Sequence, residues 1–243
     1  MYHTTRGIVF RQIKYSDSSL VVRILTEKTG LCSYIIKGAR GPKAKIKAGL
    51  FQPLTLLDLV VEQKEKKDLH YIRESRVAYP YQTIHKDIRK SSILLFLNEL
   101  LYKSIQEEAV NQELFQYIFD HLILLDQTAE NPACFHLLFT IHLTHYLGFF
   151  PHGGYINENT AFDLAEGHFV QSEPLPAENF ITGNLCFWFS KLLEISPGNF
   201  FTLSIPSSTR NELLEKILNY YHLHLPLTGE FRSHYILHDV LLR

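Results

Sequence analysis

The sequence predicts an α+β protein: an N-terminal OB-fold β-barrel followed by an all-helical domain with an irregular insert. Three observations predict it. The apolar period is 2 through residues 1–80 and becomes 3.6 after Pro80. Five short strand patterns, each bounded by turn residues, fall within those first eighty positions. Charge divides at the same place, with 15 Lys+Arg against 7 Asp+Glu in residues 1–80 and 9 against 18 in the rest. The formal net charge of −1 therefore hides a bipolar molecule, one half suited to a polyanion.

The strands are expected at Thr5–Lys14, Leu20–Thr26, Leu31–Lys37, Thr55–Glu62 and Leu69–Val77. Turns are signalled at Ser16–Ser18, Lys28–Gly30, Gly38–Gly49 and Lys64–Asp68. Five strands with one long loop between the third and fourth suit a small closed barrel, and an OB-fold is the economical choice. Strand count alone does not separate it from an SH3-like barrel.

Helices are expected at Asp87–Lys103, with Ile93, Leu94, Leu97, Leu100 and Leu101 on one stripe, and at Glu113–Leu125. Asn131-Pro132 reads as a cap followed by a first-turn proline, opening a helix that Gly148 and Pro151 stop. Residues 149–182 lose periodicity and gather Gly, Pro and Asn. Helical pattern returns over Asn184–Leu193. Thr209 and Glu212 have capping-box spacing before a helix ending at His224, and a last segment covers Ser233–Leu242. The expected domains are thus 1–80 and 81–243.

Hydrophobic content of 46% excludes a disordered chain. No run of 18 apolar residues occurs, and the N-terminal segment carries no apolar signal region, so the expected compartment is the cytoplasm, without a membrane contact. Cys32, Cys134 and Cys186 are odd in number and set among apolar residues, as buried free thiols would be.

The sharpest local feature is basic. Lys37, Arg40, Lys43, Lys45 and Lys47 fall within eleven residues, and no acid occurs between Lys28 and Gln52. Nucleic acid binding needs cations to displace counterions along phosphates and flat side chains on which bases stack. Arg6, Arg11, Lys14 and Arg23 lie on the expected strands, with Phe10, Tyr15 and Tyr34 among them. Alternation does not reveal which barrel face is outward. His142 and His145, three apart on a helix, have metal-ligand spacing, but their apolar surroundings favour packing. No Gly-x-Ser-x-Gly, phosphate-binding loop or His-Glu-x-x-His occurs, which argues against an enzyme.

Three stretches, in order, resemble the bacterial recombination-mediator and repair family RecO. The first is Thr5-Arg-Gly-Ile-Val-Phe10, Ser16–Thr26, Gly30 and Lys37-Gly-Ala-Arg40. The second is Leu50-Phe-Gln-Pro53. The third is Tyr220-Tyr-His-Leu-His224 with Phe231-Arg-Ser233 and Ile236-Leu237. The resemblance spans essentially the whole chain. It implies an OB domain and a helical domain, and binding of single- and double-stranded DNA with annealing of complementary strands. It also implies RecR and single-stranded DNA-binding protein as partners, and RecA loading as the outcome. Many relatives carry a four-cysteine zinc module in the insert. Residues 148–170 here hold no cysteine, so no structural zinc and no cofactor is expected. The acidic C-terminal tail of single-stranded DNA-binding protein needs a cation beside an apolar pocket, and Arg210 and Lys216 are the expected cations. The alternative reading is an RNA-binding or protein-docking adaptor without annealing activity.

Overall fold

The computed structural model describes residues 2–39, 46–62, 69–171, 179–196 and 199–241. The chain divides into two compact units, Met1–His85 with Leu101–Gln127, and Lys86–Leu100 with Thr128–Arg243.

In the first unit, β1 (Tyr2–Lys14), β2 (Leu20–Thr26), β3 (Gly30–Ile36), β4 (Leu56–Glu62) and β5 (Leu69–Val77) form a closed barrel in the order β1-β2-β3-β5-β4. The thirteen-residue β1 pairs antiparallel with both β2 and β4, while β3 and β5 pair parallel. That order, which strand count could not supply, is the OB arrangement rather than the SH3-like one.

Closure depends on Gly7, where β1 faces Thr26 on one side and Leu57 on the other. A Cβ there would stand 2.8 Å from Ile24 Cγ2 and from Leu59 Cδ1, so any side chain would displace the barrel's own core. Inside are Val22, Ile24, Tyr34, Leu57 and Val61, with Phe51 entering from a 3-10 turn at Ala48–Phe51. Each apolar side chain buried this fully contributes roughly 1.5–3 kcal/mol.

The same unit contains α2 (Gln112–Gln127), which buries Leu114, Phe115, Ile118, Leu122 and Leu125 along one stripe. The Asn111 side chain accepts from Leu114 N at 2.9 Å and starts the helix. Near its end, the Asp126 carboxylate accepts from the backbone amides of Gln82, Thr83 and Ile84 and from the Tyr79 hydroxyl. This fixes the segment that leaves the barrel. The preceding helix α1 (Ile88–Ser104) has its last turn in this unit and its first residues in the other.

The second unit is built on α3 (Phe135–Leu147), whose Leu137, Leu138, Phe139, Ile141 and Leu143 are wholly buried. A helix apolar on every side belongs at the centre of a domain. Asn131 caps a short 3-10 turn at Pro132–Cys134 before α3, and Gly148 ends the helix at φ 86°. Around it stand α4 (Gly183–Glu194), α5 (Ser207–His224) and α6 (Ser233–Leu241). Helix α5 starts at Ser207 behind Pro206, two residues before the expected cap, so Thr209 and Glu212 are helix interior and form no capping box. Pro206 already supplies the extended entry and the carbonyl that accepts from Arg210 N.

The insert is more ordered than its composition suggests. β6 (Thr160–Asp163), β7 (His168–Gln171) and β8 (Phe180–Ile181) form an antiparallel sheet in the order β7-β6-β8. Strands of two to four residues are too short to show alternation, which is why the sequence reads as irregular there. The sheet is held by rings. Phe162 stands 4.6 Å from Phe189 and 5.6 Å from Tyr220, and Phe149 stacks on His224 at 5.3 Å. Cys134 and Cys186 are buried free thiols and Cys32 is half-buried.

Candidate nucleic-acid interface

The barrel's outward cations fall into two groups. On β5 they are paired with carboxylates of β4. Arg76 Nε donates to Asp58 Oδ2 at 3.0 Å, and Arg73 forms an ion pair with Glu62. A groove of about 530 Å³ lies beside them, lined by Thr5, Arg6, Glu27, Asp58, Glu74 and Arg76. Its arginines are matched by carboxylates.

Arg6 belongs to this neutralised side. Its guanidinium donates to Glu27 at 2.8 and 3.0 Å and to Gln116 Oε1 at 2.8 Å. It also lies 4.8 Å from the Phe119 ring centre and 5.4 Å from that of Phe115. The Arg6 hydrogen bond holds the Glu27 carboxyl below its usual range, against the upward push of desolvation. Arg6 therefore ties β1 to α2, with most of its charge already answered.

The outer face of β1, β2 and β3 differs. Arg11 and Arg23 are direct cross-strand partners, and Ser33 follows on β3. Among the described residues neither arginine has a carboxylate within ion-pair distance. A register shift between Val9 and Arg11 marks a bulge in β1, a device that re-aims side chains. Both guanidiniums come to Tyr102, in the last turn of α1. The Arg11 Cζ is 5.2 Å and the Arg23 Cζ 5.9 Å from the ring centre, and Arg11 Nη1 donates to the Tyr102 hydroxyl at 2.6 Å. Nearby lie Ile13, 50% exposed, and half-buried Val21 and Tyr71, with buried Ile35 paired between the last two. Lys37, exposed, sits 5.6 Å from the Tyr71 ring centre. This face thus combines cations that no described carboxylate compensates with apolar and aromatic surface.

The other expected basic residues fall as follows. Lys14 is exposed beside Asp17 at 3.5 Å, a surface pair of little energetic weight. Lys47 is exposed. Arg40, Lys43 and Lys45 lie outside the described residues. Of the three aromatics considered for stacking, Phe10 and Tyr34 are core, at 1% and 0% exposure, and only Tyr15, 66% exposed, faces outward. Burial pushes the Tyr34 phenol well above its usual value. Tyr102 escapes sequence reasoning because it sits in an apolar helical stripe; a tyrosine among leucines at the end of a helix is the only signal the chain gives.

In the second unit, Arg210 lines a cavity of about 560 Å³ with Arg89, Trp188, Ile205, Val240 and Leu241. Its guanidinium donates to Ile205 O at 2.7 Å and Leu241 O at 3.0 Å. Lys216, half-buried on the same helix, does not line that cavity. His142 packs against Phe200 and Phe150, and His145 against Phe150, so both serve aromatic packing. Among the described residues no cluster of three or more His, Cys, Asp or Glu could hold a metal ion, and no helix is long and apolar enough to cross a membrane.

The motif residues mostly hold the fold together. Tyr220 and Tyr221 donate to Phe149 O and Thr140 O, and the His224 ring contacts Leu164 O at 2.9 Å. Glu99 accepts from Arg232 N, Ser233 N and Ser233 Oγ and so caps α6. Gly30, at φ 69°, lets the 108–109 backbone approach the β2–β3 turn, where a Cβ would stand 2.2 Å from Glu108 O.

Comparison with known proteins agrees with this architecture. The family model described as "Recombination protein O N terminal" matches residues 1–81, and "Recombination protein O C terminal" matches 85–230. A DNA repair protein RecO of Azobacteroides pseudotrichonymphae is 33% identical over 240 residues, covering 99% of both chains. That of Flavobacterium psychrophilum is 36% identical over 222 residues, 91% of each. That of Christiangramia forsetii is 32% identical, over 97% of this chain and 98% of the relative. With an OB barrel at its start, helices after it and these matches along almost its whole length, the chain belongs to the RecO family of DNA repair proteins.

Proposed function

We propose that the chain is a non-enzymatic cytoplasmic recombination mediator that binds single- and double-stranded DNA on the β1–β2–β3 face of its barrel and anneals complementary strands. The observation that carries this reading is the contrast between the two barrel faces. The arginines of β5 are matched by carboxylates of β4, while among the described residues Arg11 and Arg23 have no such match. An ion pair must be broken before its arginine can take a phosphate. An unmatched arginine releases the counterions of DNA at no such cost.

Annealing needs the phosphate repulsion of two strands screened while their base edges stay free. Guanidiniums on phosphates provide the screening. Apolar and aromatic surface at Ile13, Val21, Tyr71 and Tyr102 supports bases without reading their edges. Exposed Lys37, beside Tyr71, adds a further cation to this face.

The family membership supports RecR as a partner and RecA loading as the outcome. The cavity at Arg210, with a cation beside Trp188, Ile205 and Val240, supports docking of an acidic peptide with an apolar end, such as the tail of single-stranded DNA-binding protein. Arg210 lies on the first turn of α5, where the helix dipole also favours a carboxylate. That cavity is equally the observation behind the second reading, an adaptor whose main business is protein docking.

Binding of labelled single-stranded DNA, duplex DNA and RNA at two salt concentrations tests the proposal. Tight, salt-sensitive DNA binding that the Arg11→Ala, Arg23→Ala double variant loses is the expected result. Binding of the tail peptide without DNA binding by the parent favours the adaptor instead.

A further inference from the structure

Resting on the reading above, we infer that Arg11, Arg23 and Tyr102 form a single preformed seat for one phosphodiester, in which Tyr102 sets the geometry of the arginines. Two like charges directly opposite each other on adjacent strands repel and destabilise a sheet. Yet the residues stand cross-strand, and a bulge in β1 adjoins Arg11. The other described arginines of the barrel have a carboxylate partner. An anion shared by both guanidiniums is the species that relieves the repulsion, and its tetrahedral oxygens accept from two forks at once.

Tyr102 gives the pair its spacing. Its hydroxyl accepts one N–H of Arg11 at 2.6 Å, which removes rotamer freedom yet leaves the other donors of the fork available. Its ring lies 5.2 and 5.9 Å from the two guanidinium carbons, so it holds both without neutralising either. A carboxylate at position 102 would pair with the arginines and compete with the phosphate; a phenol does not. Tyr102 is therefore a positioning residue, acting through Arg11 and Arg23.

One shared phosphate and two separate phosphates leave different signatures in salt. Each phosphate neutralised contributes about 0.7 to the log–log slope for single strands. Under the shared seat, Arg11→Ala, Arg23→Ala and the double variant each lower the slope by about 0.7, and the two effects on affinity are strongly non-additive. Tyr102→Phe keeps the ring and removes the hydroxyl, while Tyr102→Leu removes both. Each leaves the net charge unchanged, and Tyr102→Leu is expected to weaken binding roughly tenfold, about one hydrogen bond to a charged group. Tyr102→Phe should fall between it and the parent.

These measurements use the full chain and a labelled oligonucleotide, with thermal melts to show that each variant is folded. Additive effects, with the double variant's slope lower by about 1.4, twice the single-phosphate value, would overturn the shared seat. So would Tyr102 variants that bind as the parent does. A parent that binds DNA only through the 37–47 loop refutes the seat but leaves the function standing. A parent that does not bind DNA overturns both.

Discussion

Replacing Asp126 by Asn should remove about 2 kcal/mol from the barrel unit at neutral pH, and the difference should shrink as the solution is acidified. Burial alone would push the Asp126 carboxyl upward. The backbone amides of Gln82, Thr83 and Ile84, with the Tyr79 hydroxyl, outweigh it and bring the value from 3.8 down to about 2. The carboxylate is wholly buried, and its bonds from these amides and from Tyr79 are 2.8–3.1 Å long. Lowering the value from 3.8 to about 2 corresponds to about 2 kcal/mol. Because the folded value is the lower one, this stability is fully present well above the unfolded value of 3.8 and is lost as pH falls toward about 2. For a domain of this size, about 2 kcal/mol moves the melting temperature by roughly 4–8 °C. Thermal melts of parent and Asp126→Asn from about pH 7 down to about 2.5 read the difference directly. A gap that stays constant with pH would refute the assignment, since an uncharged role for Asp126 has no reason to titrate here.

Other perturbations have equally definite outcomes. Glu99→Ala removes the cap from α6 and should cost about 1–2 kcal/mol, visible as faster amide exchange in 233–241. Replacing Arg40, Lys43, Lys45 and Lys47 by Ala should weaken DNA binding and lower the salt slope by about 0.7–0.9 for each phosphate no longer neutralised; an unchanged slope would make the loop a solvated surface. Metal analysis of the purified chain should give no stoichiometric zinc, and a chelator should leave the melting temperature in place, because a structural zinc contributes folding free energy outright. A labelled acidic tail peptide should bind the parent and bind the Arg210→Ala, Lys216→Ala double variant more weakly, with melts checking that the variant remains folded without the bond from Arg210 to α6.

The barrel is legible in the sequence because its strands are long enough for period 2 to register. β2 and β5 fall on their expected residues, and the others differ by at most a few positions at an end. The helices are legible for the matching reason, a stripe of apolar residues at period 3.6, as in Leu114, Ile118, Leu122 and Leu125. The insert sheet is not, since its pattern resides in rings such as Phe162 and Phe189 that meet only in space. The capping signal at Thr209 misleads because Pro206 has already opened the helix.

The candidate site is legible only as a pool of charges. Arg6, Arg11 and Arg23 look alike along the chain, and only pairing separates them. Arg6 faces Glu27, twenty-one residues away, while Arg11 and Arg23 face each other and Tyr102. Whether a cation is free or answered is a property of the folded barrel, and spacing along the chain does not encode it.

Annealing itself is the most direct test of the proposed function. Two complementary oligonucleotides carrying a donor and an acceptor dye are mixed at low salt with the parent, and with the Arg11→Ala, Arg23→Ala variant shown by melting to be folded. The parent should accelerate pairing over the uncatalysed rate, and the variant should lose most of that acceleration. A variant that anneals as fast as the parent would contradict the assignment of the β1–β2–β3 face, and a parent without effect on pairing would contradict the proposed function.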